Sequence, residues 1–344
     1  MKRIALIYGG DSSEYEVSVK SGKHMASHID RKKYEVYEVL IKGADWRVIT
    51  DGEDNSCFID KADFSVVIPS NGWMAESRHH FDLALIMIHG SPGENGLLQA
   101  YFEMIGMPFT TCPATVAAIT FNKYACKCFL RDTGVKLAAE RFIRRGDGYN
   151  PYDISIALGL PLFVKPNNGG SSFGVTKVKK LEELNDAIEC AFKEDAAILV
   201  EEFIDGREFN MSVFSGSNGP EVLPVAEIVF VGYDETRPKI IDYKAKWEMD
   251  TFEYDNTVRD FPGEKLDSDI MNKLRKVTLD CWHLFGLKGY ARVDARVDGN
   301  NNVFVIEINA NPCIQPNGGF MAATRTGGYN FPEVLQRIID DLNK

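Results

Sequence analysis

The stretch GYARVDARVDGNNNVFVIEINANPCIQPNGGF, Gly289 to Phe320, decides the fold. Two runs in it alternate apolar and polar residues on either side of DGNNN. Successive side chains of a strand point to opposite faces. Tyr290, Arg292, Asp294 and Arg296 therefore share one face of the first run, with Ala291, Val293, Ala295 and Val297 on the other. In the second run Val303, Val305, Glu307 and Asn309 share a face, opposite Phe304, Ile306 and Ile308. A tight turn on Asn300 and Asn301, residue types that accept positive φ, sets Asp294 across from Glu307 and Arg292 across from Asn309. One face then presents two carboxylates, an amide and a guanidinium. Carboxylates held that close repel unless a cation lies between them. Hard oxygen donors suit Mg²⁺, which completes its shell with phosphate and water. A solvated face carrying Arg–Asp pairs is the plainer alternative.

Upstream, VKPNNGGSSFGV (Val164 to Val175) has the second feature such a site needs. Lys165 ends a strand, and Gly169, Gly170, Ser171 and Ser172 follow in a loop before Gly174. Glycines let backbone N–H groups approach phosphate oxygens, and hydroxyls add donors. The lysine precedes the glycines, so this is no Walker loop. The first strand lacks GxGxxG after it, which excludes a dinucleotide fingerprint and with it a nicotinamide dehydrogenase. Alone, such a loop is more often a flexible hairpin tip. With the lysine and the distant carboxylates it reads as a nucleotide lid.

The first third alternates strand and helix patterns. IALIY is followed by a turn and a helix whose start Ser13 and Glu16 mark with capping-box spacing. KYEVYEVLI and DLALIMI are further strands, and the order implies a parallel sheet covered by helices. One long helix is expected over about residues 114–132, stopped by Gly134. A small lobe of two strands and a helix follows, then a strand-rich part, a helix from DSDIMNKLRKV, the hairpin, and a closing helix in FPEVLQRIIDDL. The fold class is mixed α/β, with units 1–113, 114–205 and 206–344. The chain has 344 residues, and its net charge of −11 with no basic run argues against nucleic-acid and anionic-membrane partners. Seven cysteines without paired CxxC spacing fit reduced thiols and a cytoplasmic location better than disulfides or zinc. No run approaches the ~20 apolar residues of a membrane helix.

On GGDSSEYEVSVKSG, HGSPGENG, NKYACK, VKPNNGGSSFGV, VEEFIDGREF, YKAKW, RVDA and EINANP, the chain resembles the ATP-grasp superfamily from end to end, and within it the D-alanine–D-alanine ligases. The resemblance implies an ATP-grasp fold with an N-terminal Rossmann-like subdomain. It implies that Lys123, Lys165 and Ser172 bind the ATP phosphates, with Lys246 reaching a terminal phosphate from a mobile loop. Glu201 would receive the adenine amino group, Glu202, Phe203 and Ile204 would line the base by backbone, and Glu208 would hold the ribose. Asp294, Glu307 and Asn309 would bind two Mg²⁺ ions, with Mn²⁺ as a substitute. Glu14 would take the first substrate's ammonium, His89 would line that pocket, Ser171 would join a relay to the attacking amine, and Arg292 would stabilise the oxyanion. The implied chemistry joins two small amino acids through an acyl phosphate, in a homodimer.

Three residues depart from the family pattern. Trp247 replaces a tyrosine in the closing loop, and indole donates a hydrogen bond but accepts none. Cys313 replaces a glycine, and Gly318 stands where a serine would bind the second substrate's carboxylate. Without that hydroxyl the acceptor end is expected to be roomier, and Gly318→Ser to improve use of D-alanine. The alternatives are a ligase for a larger amine acceptor and a nucleotide-binding protein without turnover.

Overall fold

Strand Lys2–Gly9 is buried from Ile4 onward because both its neighbours run parallel to it: Tyr34–Lys42 on one side and Leu83–Ile86 on the other. The computed structural model describes residues 1–49, 57–68, 77–234, 237, 239–241 and 243–342, with the backbone alone at 243 and 247. Among the described residues the strands form three sheets. The first is parallel only at this three-strand centre. Beyond Tyr34–Lys42 it continues antiparallel through Asp45–Ile49, Phe58–Asp60, Ser65–Ile68 and Ser77–His79. The wholly parallel sheet expected from the sequence is thus a parallel core with an antiparallel extension. Those added strands are three to five residues long, too short to show a period.

The second sheet is antiparallel, in the order Thr176–Val178, Leu162–Pro166, Ala197–Glu202, Glu140–Arg144. It packs its Leu162, Val164, Ile198 and Val200 face on helix Leu184–Glu194. Four strands stand where two were expected. The third sheet runs Thr257–Asp260, Ala226–Phe230, Arg207–Gly216, Tyr290–Val297, Val303–Asn309, Lys136–Leu137, with Gly219–Val222 beside Arg207–Gly216. Helix Ser268–Phe285 closes its apolar face through Ile270, Leu274, Val277 and Cys281. A further core unites Leu6, Leu85 and Met87 of the first sheet with Phe214, Tyr290, Phe320 and Ile338, so the first and third sheets share one interior.

The hairpin register is as read, Asp294 opposite Glu307 and Arg292 opposite Asn309, but it is reached through a β-bulge. Near the turn Val303 pairs with Val297 and Val305 with Ala295, and the register shifts by one residue at Ile306. Val303 and Val305 consequently join Ile308 on the core face, correcting the strict alternation assumed from the sequence. The extra residue lets consecutive Ile306 and Glu307 both line the cleft.

Two helix expectations also change. The helix expected over 114–132 is two, Ala114–Phe121 and Lys123–Leu130, broken at an extended Asn122. The Asn122 side chain accepts from Ala125 N–H at 2.8 Å, and Lys123 N–H donates to Asn167 O at 3.0 Å. Helix Tyr15–Ala26 begins without the expected capping box: Glu14 is its N-cap, and no side chain caps it. Ser12, not Ser13, orders the turn by donating to His89 O and accepting from Glu14 N–H.

Candidate active site

Residues of the second and third sheets, together with the turns that follow strands Lys2–Gly9 and Leu83–Ile86 of the first, line a cleft of about 1150 Å³. At its cationic end Lys165, brought in by strand Leu162–Pro166, lies 2.7 Å from Glu201 Oε2. Lys127, on the same helix as Lys123, lies 3.0 Å from Glu201 Oε1 and donates to Ala138 O at 2.6 Å. Burial alone would raise the Glu201 pKa, but Lys165 and Lys127 outweigh it and hold the carboxyl below its usual range. The Lys123 ammonium donates to Gly169 O at 2.7 Å, tying the helix to the glycine-serine loop. Burial pushes its pKa down against the pull of Glu307.

The hairpin face carries both features that the sequence left as alternatives. Arg292 is paired with Asp294 through two contacts of 2.7 Å, and Asn210 donates to the same carboxylate at 2.7 Å. Asn309 Nδ2 is 3.3 Å from Asp294 and 3.3 Å from Glu307. Burial raises the Asp294 pKa, with Arg292 opposing. Burial would raise Glu307 too, but Lys123, Lys246 and Arg292 draw it to about 2. Among the described residues no three acidic, histidine or cysteine side chains gather around one point. Two carboxylates and an amide make an incomplete shell of hard donors, which fits Mg²⁺ sharing its remaining positions with phosphate and water.

At the opposite end the loop folds over Glu14. The Ser171 hydroxyl donates to Glu14 Oε1, and a Cβ on Gly170 would stand 2.8 Å from Oε2, so a side chain there would displace the Glu14 carboxylate. Burial, then Glu94, raises the Glu14 pKa, and Ser171 moderates the rise. Ser171 and Ser172 both have left-handed backbones, at φ 52° and 59°, an unusual cost for non-glycine residues. The Ser172 hydroxyl donates to Ile241 O at 2.6 Å, and the Lys246 ammonium reaches the same hydroxyl at 3.4 Å. The phosphate loop is thereby tied to the segment expected to close the site. His89 is buried, its Nδ1 3.4 Å from Glu94 and its Nε2 3.3 Å from Ser21. Burial works against its charge, yet Cys313 and Glu94 raise its pKa, and His89 lowers that of the Cys313 thiol against burial.

At the hinge the N–H groups of Glu202 and Phe203 are already bound, to Ala139 O and Pro161 O. Of their backbone groups, these two N–H donors are therefore already engaged within the protein. Ile204 lines the cleft, whereas the Phe203 ring packs under Lys177, 3.4 Å from its centroid, and near Arg296. Glu208 lies 3.5 Å from Arg296, and burial lifts its pKa to about 7. Trp247 ends the short helix Tyr243–Trp247; its side chain lies outside the described residues.

The cleft thus gathers the predicted site residues with two exceptions, Phe203, which packs outside it, and Trp247. Three participants escaped the sequence reading. Lys127 is four residues after Lys123, on the same helix face, and Asn210 is two after Glu208, on the same strand face. Either could have been found by period. Arg259 lies outside every motif, and no local signal points to it.

A cleft braced by lysines and faced by paired carboxylates is the arrangement expected of an ATP-dependent ligase of ATP-grasp architecture. Family models described as D-ala D-ala ligase N-terminus and C-terminus match residues 3–112 and 130–340. The chain belongs to the D-alanine–D-alanine ligase family. It is 37% identical over 340 residues to the D-alanine–D-alanine ligase of Parabacteroides distasonis, covering 99% of this chain and 97% of that protein. With that of Flavobacterium johnsoniae it shares 34% identity over 340 residues, 99% of each chain. Its fold matches D-alanyl-alanine synthetase A from Vibrio cholerae with a TM-score of 0.84 at 22% identity, over 100% of this chain and 99% of that one. The VanG D-Ala:D-Ser ligase of Enterococcus faecalis gives 0.80 at 25% identity, over 99% of both.

Proposed function

We propose that this chain ligates two D-amino acids, with D-alanine as donor and as first-choice acceptor. The observation that carries the reading is convergence: Lys123, Lys165 and the Asp294–Glu307–Asn309 face meet the Glu14–Ser171 contact within one cleft. Glu14 takes the donor's ammonium and so aims its carboxylate along the cleft. Lys123, Lys165 and Lys246 hold the triphosphate, with Glu208 on the ribose and Glu201 and Ile204 at the base. Asp294, Glu307 and Asn309 would hold two Mg²⁺ ions, which supply charge neutralisation between triphosphate and carboxylate.

The donor carboxylate attacks the γ-phosphorus, ADP leaves, and an acyl phosphate forms. The acceptor's neutral amine attacks the acyl carbon, and Arg292 stabilises the oxyanion of the tetrahedral intermediate. Phosphate then leaves and the amine proton is lost. The Ser172–Ile241 and Ser172–Lys246 contacts support closure of 243–254 over the acyl phosphate, which excludes water. The same reading divides the chain at 113 and 205, and places the enzyme in the cytoplasm as a homodimer.

The VanG likeness favours testing D-serine as a second acceptor. The test is release of ADP and phosphate on incubation with ATP, Mg²⁺ and pairwise amino-acid mixtures, with products read by mass spectrometry. Ligation gives amino-acid-dependent release and a dipeptide. ATP binding without turnover in any mixture would instead make the chain a non-catalytic nucleotide binder.

A further inference from the structure

The acceptor end of the cleft holds a guanidinium that no step above uses. Arg259 sits on the edge strand Thr257–Asp260, its backbone paired with Ile228, and its side chain lines the cleft beside Arg292, Cys313 and Gly318. Its Nη1 donates to Asn317 O at 3.4 Å, while its Nε is buried without a hydrogen-bond partner. Other arginines of the third sheet have acids: Arg292 has Asp294, Arg207 has Glu227, and Arg296 has Glu208. Among the described residues no carboxylate comes within ion-pair distance of Arg259. A half-buried guanidinium whose Nε is shut off from solvent and which has no anion is costly, and burial, reinforced by Arg292, pushes its pKa down.

The place it occupies is specific. A Cβ on Gly319 would lie 3.6 Å from Arg259 Nε and Nη2, so the guanidinium rests against the backbone at the start of helix Gly319–Thr326. Gly318, the N-cap of that helix, supplies no side chain. A Cβ there would fall 2.7 Å from Cys313 O and 3.0 Å from Gln315 O, so position 318 admits no serine without moving backbone. The hydroxyl expected at this end of the cleft is missing and sterically excluded, and a planar two-pronged cation stands next to its place.

Resting on the ligase reading, we propose that Arg259 is the acceptor's carboxylate anchor. Its guanidinium binds the α-carboxylate of the incoming amino acid in a forked pair and holds the amine toward the acyl carbon. Guanidinium geometry matches carboxylate through two parallel hydrogen bonds, which a lone ammonium does not reproduce.

The test is an internal competition. The protein is given ATP, Mg²⁺ and equal concentrations of D-alanine and D-alaninamide, and the two products, ending in carboxylate or in amide, are measured by mass spectrometry. The unmodified protein favours the carboxylate product. In Arg259→Gln the preference falls about 10- to 100-fold, as expected for loss of a charged hydrogen-bond pair, and Arg259→Lys keeps part of it. MgATP binding stays unchanged in both. An unaltered product ratio in Arg259→Gln overturns the assignment, since a purely structural role lowers both products together. Absence of both products from the unmodified protein overturns the ligase reading, and the assignment with it.

Discussion

On the proposed reading, Glu14 is the residue whose environment most constrains the first substrate. Burial and Glu94 raise its pKa above the ordinary 4.5. Folding favours the neutral carboxyl, so in the ligand-free protein its stabilising contribution is full below 4.5 and is lost as pH rises through the raised value. Binding a donor ammonium needs the carboxylate. The apparent KM for donor is therefore expected to rise on acidification at a higher pH than an ordinary glutamate would give. Glu94→Gln removes the second cause of the shift and moves that inflection to lower pH. Identical KM–pH profiles in the two proteins would contradict the assignment. At the acceptor end, the structure reverses the expectation for Gly318→Ser. The new side chain meets Cys313 O and Gln315 O, so D-alanine turnover should fall and not improve, as steady-state kinetics would show. Asp294 was legible because strand period sorts it to the face of Arg292, and Lys165 and Glu307 because each sits in a short motif with a chemical reason behind it. Arg259 was not, because its partners come from a distant helix start that only the fold brings near.

At the level of elements, two irregularities place the chemistry. The β-bulge at Ile306 turns both Ile306 and Glu307 into the cleft, while Val303 and Val305 stay in the core. A one-residue register shift leaves no signature in an apolar run like VFVI, so the pairing was readable and the route to it was not. The break at Asn122 was equally silent, because asparagine is tolerated within helices. It starts a new helix at Lys123 and, with Asn167, fixes where that lysine points. Asn122→Ala removes the cap bond at a cost of about 1 kcal/mol. A fall of about 1–2 °C in Tm is expected, together with a several-fold weaker MgATP affinity by calorimetric titration. Unchanged affinity would mean that the Lys123–Gly169 contact alone positions the ammonium. The parallel centre of the first sheet was visible in IALIY and DLALIMI because strands buried on both faces are continuously apolar. Its short antiparallel extension carries no such mark.

Across the whole molecule, each sheet brings its own set of charged groups to the cleft: turns after strands of the first bring Glu14 and His89, the second Lys165 and Glu201, the third Asp294, Glu307 and Arg292. The shared interior of the first and third sheets keeps the substrate end and the carboxylate hairpin in fixed relation. Among the described residues no helix is long and apolar enough to cross a membrane. That arrangement is suited to phosphorylating a carboxylate and passing the acyl group on without leaving the cleft. The most direct measurement supplies D-alanine carrying ¹⁸O in its carboxylate, with ATP and Mg²⁺, and follows the label by mass spectrometry. Attack on the γ-phosphorus predicts one donor-derived ¹⁸O in each inorganic phosphate released, with loss of both phosphate and dipeptide in Glu307→Gln. Dipeptide formed with unlabelled phosphate, or with the label in AMP, would contradict the account.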